Sequence, residues 1–114
     1  MNIIEKIYST LTPLGYPVFL QGTLGDDPYP DDFITYWIPE SESDAFYDDA
    51  EHQYNWQISI IFYTKNINSL VLIVPKIIDV LKGNQFIVQG KGTPIASDEP
   101  DTIGWVLDCA FVEN

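Results

Sequence analysis

Arginine is absent from this sequence, and five lysines stand against seventeen Asp and Glu, for a formal net charge of −12. Affinity for nucleic acid through its phosphates is supplied by Lys and Arg, so that class of function is excluded. Between Lys6 and Lys65 only His52 can carry positive charge, which also excludes a basic membrane-surface face there. Cysteine occurs once, as Cys109, so no internal disulfide can form and a reduced, intracellular setting is expected. Long apolar runs are missing too. Leu70 to Pro75 is the longest, far below the roughly 20 residues of a bilayer span. Glu5 and Lys6 interrupt the apolar start MNIIEKIYSTL, which excludes a signal core there. No Asn-x-Ser/Thr acceptor occurs. A soluble protein made inside a cell is the expectation.

What the chain does contain is material for a core. Of its 114 residues, 46% are hydrophobic and 14% aromatic, which is not a disordered composition. This length corresponds to a single domain, residues 1–114, since a split would leave two starved cores. At this size folding hides about two-thirds of the surface that the unfolded chain exposes.

Ile3, Ile4, Ile7, Tyr8 and Leu11 recur at helical spacing and predict a helix from Asn2 to Leu14, with Gly15 ending it. Pro17 to Gln21 reads as a short strand, and Phe33 to Ile38 as a second. Between Gly25 and Glu51 the chain carries ten carboxylates and no Lys or Arg. The clearest strand follows, where Tyr54, Trp56, Ile58, Ile60 and Phe62 alternate with Asn55, Gln57, Ser59, Ile61 and Tyr63. One face is wholly apolar and the other mostly polar, as in a sheet half-buried against helices. Ile67, Leu70, Val71, Val74, Ile77, Ile78 and Leu81 return to a helical period, with Gly83 as a stop. Pro75 lies inside that pattern, so either the helix kinks there or a helix starts near it. Strands near Gln85 to Gln89 and Ile103 to Val112 close the chain; in the latter, Ile103, Trp105, Leu107, Cys109 and Phe111 share a face. The expected fold is α+β in the order α-β-β-β-α-β-β, with two helices packed on a mostly antiparallel sheet of about five strands.

The stretch GDDPYPDDFITYW raises the question of a metal site. Calcium takes roughly six to eight oxygen ligands, and Asp26, Asp27, Asp31, Asp32, Asp44, Asp48, Asp49 and Glu51 are numerous enough. DDPYPDD lacks the alternate acids, central Gly and terminal Glu of an EF-hand loop, and its prolines fix the backbone differently. A solvated, self-repelling loop is the better reading, and no metal is expected. His52, in DDAEHQYNW, could join a carboxylate in acid–base work, yet no Gly-x-Ser-x-Gly elbow or activated thiol supplies a nucleophile. Cys109 sits on an apolar strand face as a small hydrophobe. No catalytic or cofactor-binding residue is assigned. QGKGTP, Gln89 to Pro94, has the glycines of a phosphate loop but opens no helix, so a bend or bulge between strands fits better.

FITYWI is apolar on both faces, with Phe33 and Trp37 on one and Ile34, Tyr36 and Ile38 on the other. A sheet covered by helices on one side needs only one apolar face. The surplus is covered by the domain's own loop or by another subunit. Interfaces favour Tyr, Trp and Phe, which makes Phe33, Tyr36, Trp37, Phe46 and Tyr47 the candidates for an oligomer interface.

GYPVFLQGTL, YPDDFITYW, AFYDDAEHQYNWQISIIFYTKN and FIVQGKGTPIASDEP, in that order from Gly15 to Pro100, resemble tail-completion proteins of phages and prophages of Gram-positive bacteria, also described as tail-terminator or head–tail joining proteins. The resemblance rests on the spacing of aromatics and glycines. It implies an α+β domain, no catalytic residues, and a homo-oligomeric ring, commonly a hexamer, that caps the tail tube and helps dock it to the head. Tail tube protein and head–tail connector proteins would be its partners, first in the host cytoplasm and then in the virion. The apolar second helix with its Pro75 and the long acidic insertion depart from that pattern. On this reading each domain presents a strand edge and an aromatic patch to its neighbour, and the ring closes head-to-tail. Carboxylates facing a lumen would repel DNA phosphates. The alternative is an acidic inhibitor that imitates DNA in the basic groove of a host nuclease, with Asp26-Asp27, Asp31-Asp32 and Asp48-Asp49 mimicking phosphates.

Overall fold

The computed structural model describes residues 3–21, 30–38, 47–48, 53–96 and 101–113. Helix α1 runs from Ile3 to Leu11 and continues as a 3₁₀ turn over Thr12–Leu14. The helix expected to Leu14 therefore tightens at Leu11, one residue before Thr12-Pro13. Pro13 cannot donate to the ladder of an α-helix, and the residue before a proline is pushed out of helical geometry. Gly15 ends the turn as expected, in the left-handed region at φ 92°, with its N–H bonded to the Thr12 carbonyl at 3.0 Å. Ile3, Ile7 and Leu11 form the buried stripe of α1.

Strand β1 (Val18–Leu20) pairs in parallel with β2 (Asp32–Trp37), and every other pairing in the sheet is antiparallel. A two-residue strand, β3 (Tyr47–Asp48), pairs with the start of β4 (Gln53–Thr64). This β3 lies in the acidic stretch that carries no strand pattern, and it adds one element to the expected order. After helix α2 (Ile67–Gly83) come β5 (Ile87–Ala96) and β6 (Ile103–Glu113). The order across the sheet is β1-β2-β4-β6-β5, with β3 beside β4. The class is α+β with two helices, as expected.

Both helices pack on one face. Ile58, Ile60 and Phe62 of β4 and Leu107 and Cys109 of β6 join Ile7, Leu11, Leu70, Val74, Ile77 and Leu81 in one buried cluster. These are the apolar sets that alternation marks out in the sequence. Tyr16 sets its ring edge-on to Phe62, with centroids 5.4 Å apart.

Pro75 does not start a helix. It sits exposed within one continuous α2. Asn66 caps the start of α2, its side chain accepting from the Asn68 N–H at 3.0 Å. Pro75 removes the donor that would reach the Val71 carbonyl four residues back, and Val71 too is exposed, so water can serve that oxygen. The other end of α2 closes differently from the expected Gly83 stop. Gly83 belongs to the helix, and Gln85 takes the left-handed conformation at φ 73°. The Phe86 N–H reaches the Leu81 carbonyl and the Gln85 N–H the Lys82 carbonyl, a Schellman closure that usually places glycine where Gln85 stands. With Gln85 in that turn, β5 begins at Ile87 rather than at Gln85.

QGKGTP forms a bulge inside β5 rather than between strands. Gln89 faces Asp108 and Thr93 faces Val106, so four steps along β5 match two along β6. Gly90 (φ 74°) and Gly92 (φ 86°) supply the left-handed geometry of the bulge.

Candidate functional site

Beside single exposed side chains such as Ile4, Tyr8 and Ile87, two apolar surfaces stay open among the described residues. The first is on α2. Ile67, Val71 and Leu72 are 64%, 74% and 65% exposed, although α2 already buries a full apolar stripe against the sheet. A helix apolar on more than one face asks for a second partner. Val71, Val74, Pro75 and Ile78 form one wall of a groove of about 420 Å³, and Trp105 of β6 stands across from them. The Trp105 indole N–H donates to the Lys91 carbonyl in the β5 bulge at 2.8 Å. That bond engages its one polar atom, so an apolar ring is presented to the groove. Leu70, Asp79 and Lys91 complete the lining.

The second surface is the face of the sheet opposite the helices. Phe33 stacks on Tyr63 (centroids 4.9 Å) and meets Phe19 edge-on (6.3 Å). The surplus apolar face of FITYWI is thus covered in part by the chain's own aromatics. Thr35, between Phe33 and Trp37 on this face, is buried and its Oγ1 has no hydrogen-bond partner. Trp37, at the end of β2, stays 44% exposed.

Of the five interface candidates, Phe33 and Tyr36 are buried within the chain's own fold and have little surface left to offer. Tyr36 faces the helices, and burial, then Tyr8, raise its phenol above the ordinary value. Trp37 keeps the exposure that an interface needs. Tyr47 lies in β3, and Phe46 falls outside the described residues.

Asp31 pairs with Lys65 (3.2 Å) at an exposed site, and Asp32 accepts a hydrogen bond from the Thr64 hydroxyl. An exposed ion pair of this kind contributes at most about 1 kcal/mol. Asp26, Asp27, Asp44, Asp49, Glu51 and His52 lie outside the described residues. Among the described residues no three of His, Cys, Asp and Glu gather as a metal site would need, and no helix is long and apolar enough to cross a membrane.

Cys109 is fully buried, and burial, followed by neighbouring Asp108, pushes its thiol up from 9.0 to about 12. The folded state therefore holds the proton that the unfolded chain releases above pH 9. This contribution is complete below pH 9 and is lost as pH rises towards the folded value, by about 1.4 kcal/mol per pH unit. Cys109→Ala lacks it. Urea titrations at about pH 8.5 and 10 should show the stability gap between wild type and variant narrowing by about 1 kcal/mol; an unchanged gap would contradict the buried thiol.

No family model matches the chain, and no curated protein matches it. Among solved structures, a similar chain is the PVC sheath/tube terminator of an extracellular contractile injection system, determined in the extended state by cryo-EM. The TM-score is 0.37 at 8% identity, over 100% of this chain and 57% of that one. This chain thus spans less than two-thirds of the other's length.

The α2 groove was not among the interface candidates drawn from the sequence. Its signal was nonetheless present, in the unusual apolarity of the second helix and the proline within it. Trp105 and Lys91 come together with α2 only through the pairing of β5 with β6, which no local pattern encodes.

Proposed function

We propose that this chain is a phage structural protein of the tail-terminator or tail-completion type, forming a ring at the head-proximal end of the tail for head–tail joining. The observation that carries this reading is the row Ile67, Val71 and Leu72, exposed beside an apolar groove on a chain of net charge −12. Such a surface is covered in the working state of a soluble acidic protein. The sequence resemblance from Gly15 to Pro100 supports the same reading. Function here is assembly, and the chain's groups serve contact rather than bond-making.

The strand-edge version of the contact is less well supported. β5 is the long edge strand, and it carries Pro94, Lys91 and the bulge at Gly90 and Gly92, which are devices that discourage pairing with another strand. β1, at the other edge, has three residues. Side-chain surfaces are left to make the contact.

Imitation of DNA by paired carboxylates is disfavoured for the one pair whose partners are described, since Asp31 and Asp32 are engaged by Lys65 and Thr64. A phage lacking this chain should accumulate full heads and separate tails, and adding the purified chain should restore joined particles. Normal joining without it would overturn the proposal.

A further inference from the structure

We propose that the face of the sheet opposite the helices docks an arginine-bearing segment of a different protein, whose guanidinium is held between Trp37 and Asp108. The sheet register builds this site. Trp37 on β2 pairs with Ser59 on β4, Ser59 with Asp108 on β6, and Asp108 with Gln89 on β5. The four residues form one row across the sheet. Ile58, Ile60, Leu107 and Cys109, the neighbours of Ser59 and Asp108 along their strands, face the helices, so the row lies on the other side. Trp37, Asp108 and Gln89 are exposed there.

The groups in the row suit a planar, forked cation. The Ser59 hydroxyl donates to Asp108 Oδ1 at 3.0 Å, which steadies the carboxylate and commits the one side-chain proton of Ser59. What these two residues then offer a ligand is acceptor oxygen. Trp37 and Asp108 are two strands apart, about 10 Å at the usual spacing. A guanidinium stacked on the indole can turn its N–H fork towards the carboxylate, whereas an ammonium has no plane to stack. Thr35 is the next residue of β2 on the same face. It is 5% exposed and its Oγ1 has no hydrogen-bond partner, a cost to the free chain that an N–H donor arriving beside Trp37 relieves.

Charge separates this partner from a second copy of the chain, which has no arginine to give. All five lysines lie away from the row. Lys6 stands over the Phe111 ring, on the helix side of β6. Lys76 and Lys82 belong to α2, Lys91 lines the α2 groove, and Lys65 is paired with Asp31. The Asp108 carboxylate thus has no lysine to neutralise it, and the net charge of −12 draws a basic partner to the same face. The site stands whether or not the chain closes into a ring.

The test titrates the full chain with acetylated, amidated hexa-arginine at about 0.15 M salt, followed through the tryptophan indole and backbone N–H resonances. The Trp37 indole and the Asp108 amide should shift together. The Trp105 indole, bonded to the Lys91 carbonyl on the helix side, should stay in place. Trp37→Ala and Asp108→Asn should each bind at least about 5-fold more weakly and, being exposed positions, keep the wild-type thermal midpoint. Asp101→Asn removes the same charge from an exposed site just before β6 and should bind within about twofold of wild type. Thr35→Val should also weaken binding while holding or raising the midpoint, since it removes an unpaired hydroxyl. Hexalysine, of equal charge, should bind at least about 5-fold more weakly than hexa-arginine. An unmoved Trp37 signal or equal binding by hexalysine would overturn the proposal. So would equal losses in Asp101→Asn and Asp108→Asn, which would mean diffuse attraction to an acidic chain.

Discussion

Gly92→Ala is expected to lower the thermal midpoint by about 10 to 20 °C, at about 4 °C per kcal/mol for a domain of this size. A Cβ built on Gly92 would lie 2.4 Å from Trp105 Nε1, 2.5 Å from the Val106 carbonyl oxygen and 2.8 Å from Leu107 Cδ2. The Val106 contact is backbone of the paired strand, which cannot swing aside. Forcing an extra carbon into such a site costs about 1–3 kcal/mol, and the left-handed φ of 86° adds about 1–2 kcal/mol for any residue with a Cβ. Gly90 provides the control. It has φ 74° but nothing within 4 Å of a built Cβ, so Gly90→Ala should show the backbone cost alone, about 1–2 kcal/mol. Equal effects at the two positions would mean that the Trp105 contact with the bulge is wrong.

Phe62→Ala should cost about 3–5 kcal/mol, the range for removing a buried aromatic from a packed core. Phe62 is the largest of the fully buried side chains, at the middle of the sheet and against the Tyr16 ring. The central strand cannot close inward to fill the space, because β2 and β6 hold it on both sides. Since domains of this kind are stable by about 5–15 kcal/mol in all, the variant should stand near the edge of folding. Urea titration should show a lower midpoint with an unchanged slope. A cost below about 1 kcal/mol would contradict the position of Phe62 in the core. Trp37→Ala, on the surface, should leave the folded monomer nearly as stable as before and act on association.

The buried face of the sheet was legible in the sequence because alternation and burial share one period. Ile58, Ile60 and Phe62, and likewise Leu107 and Cys109, face the helices as their spacing requires. The stripe of α1 and the inner stripe of α2 followed from the helical period in the same way. What local pattern could not encode was pairing. The parallel partnership of β1 with β2, the two-residue β3 and the bulge at Gly90 and Gly92 depend on which strand lies alongside. The left-handed closure of α2 fell on Gln85 rather than Gly83, since the bonds that Phe86 and Gln85 make back to Leu81 and Lys82 decide the turn. Pro75 left two readings open. The continuous helix prevails with the freed Val71 carbonyl on the exposed side of α2, where water or a partner can satisfy it.

For the candidate site the aromatic burst at FITYWI offers less free surface than its composition suggests. Phe33 and Tyr36 are consumed by the domain itself, whereas Trp37 keeps a large exposed surface. The exposed apolar side of α2 had the sequence signature of too many apolar residues for one buried stripe.

The most direct test of the central claim is the mass of the wild-type chain in solution, followed over concentration and from about 0.1 to 1 M salt, where exposed charges are increasingly screened. Assembly through the apolar groove predicts a discrete multiple of 13.0 kDa that persists at high salt. A mass of 13.0 kDa at every concentration would contradict it.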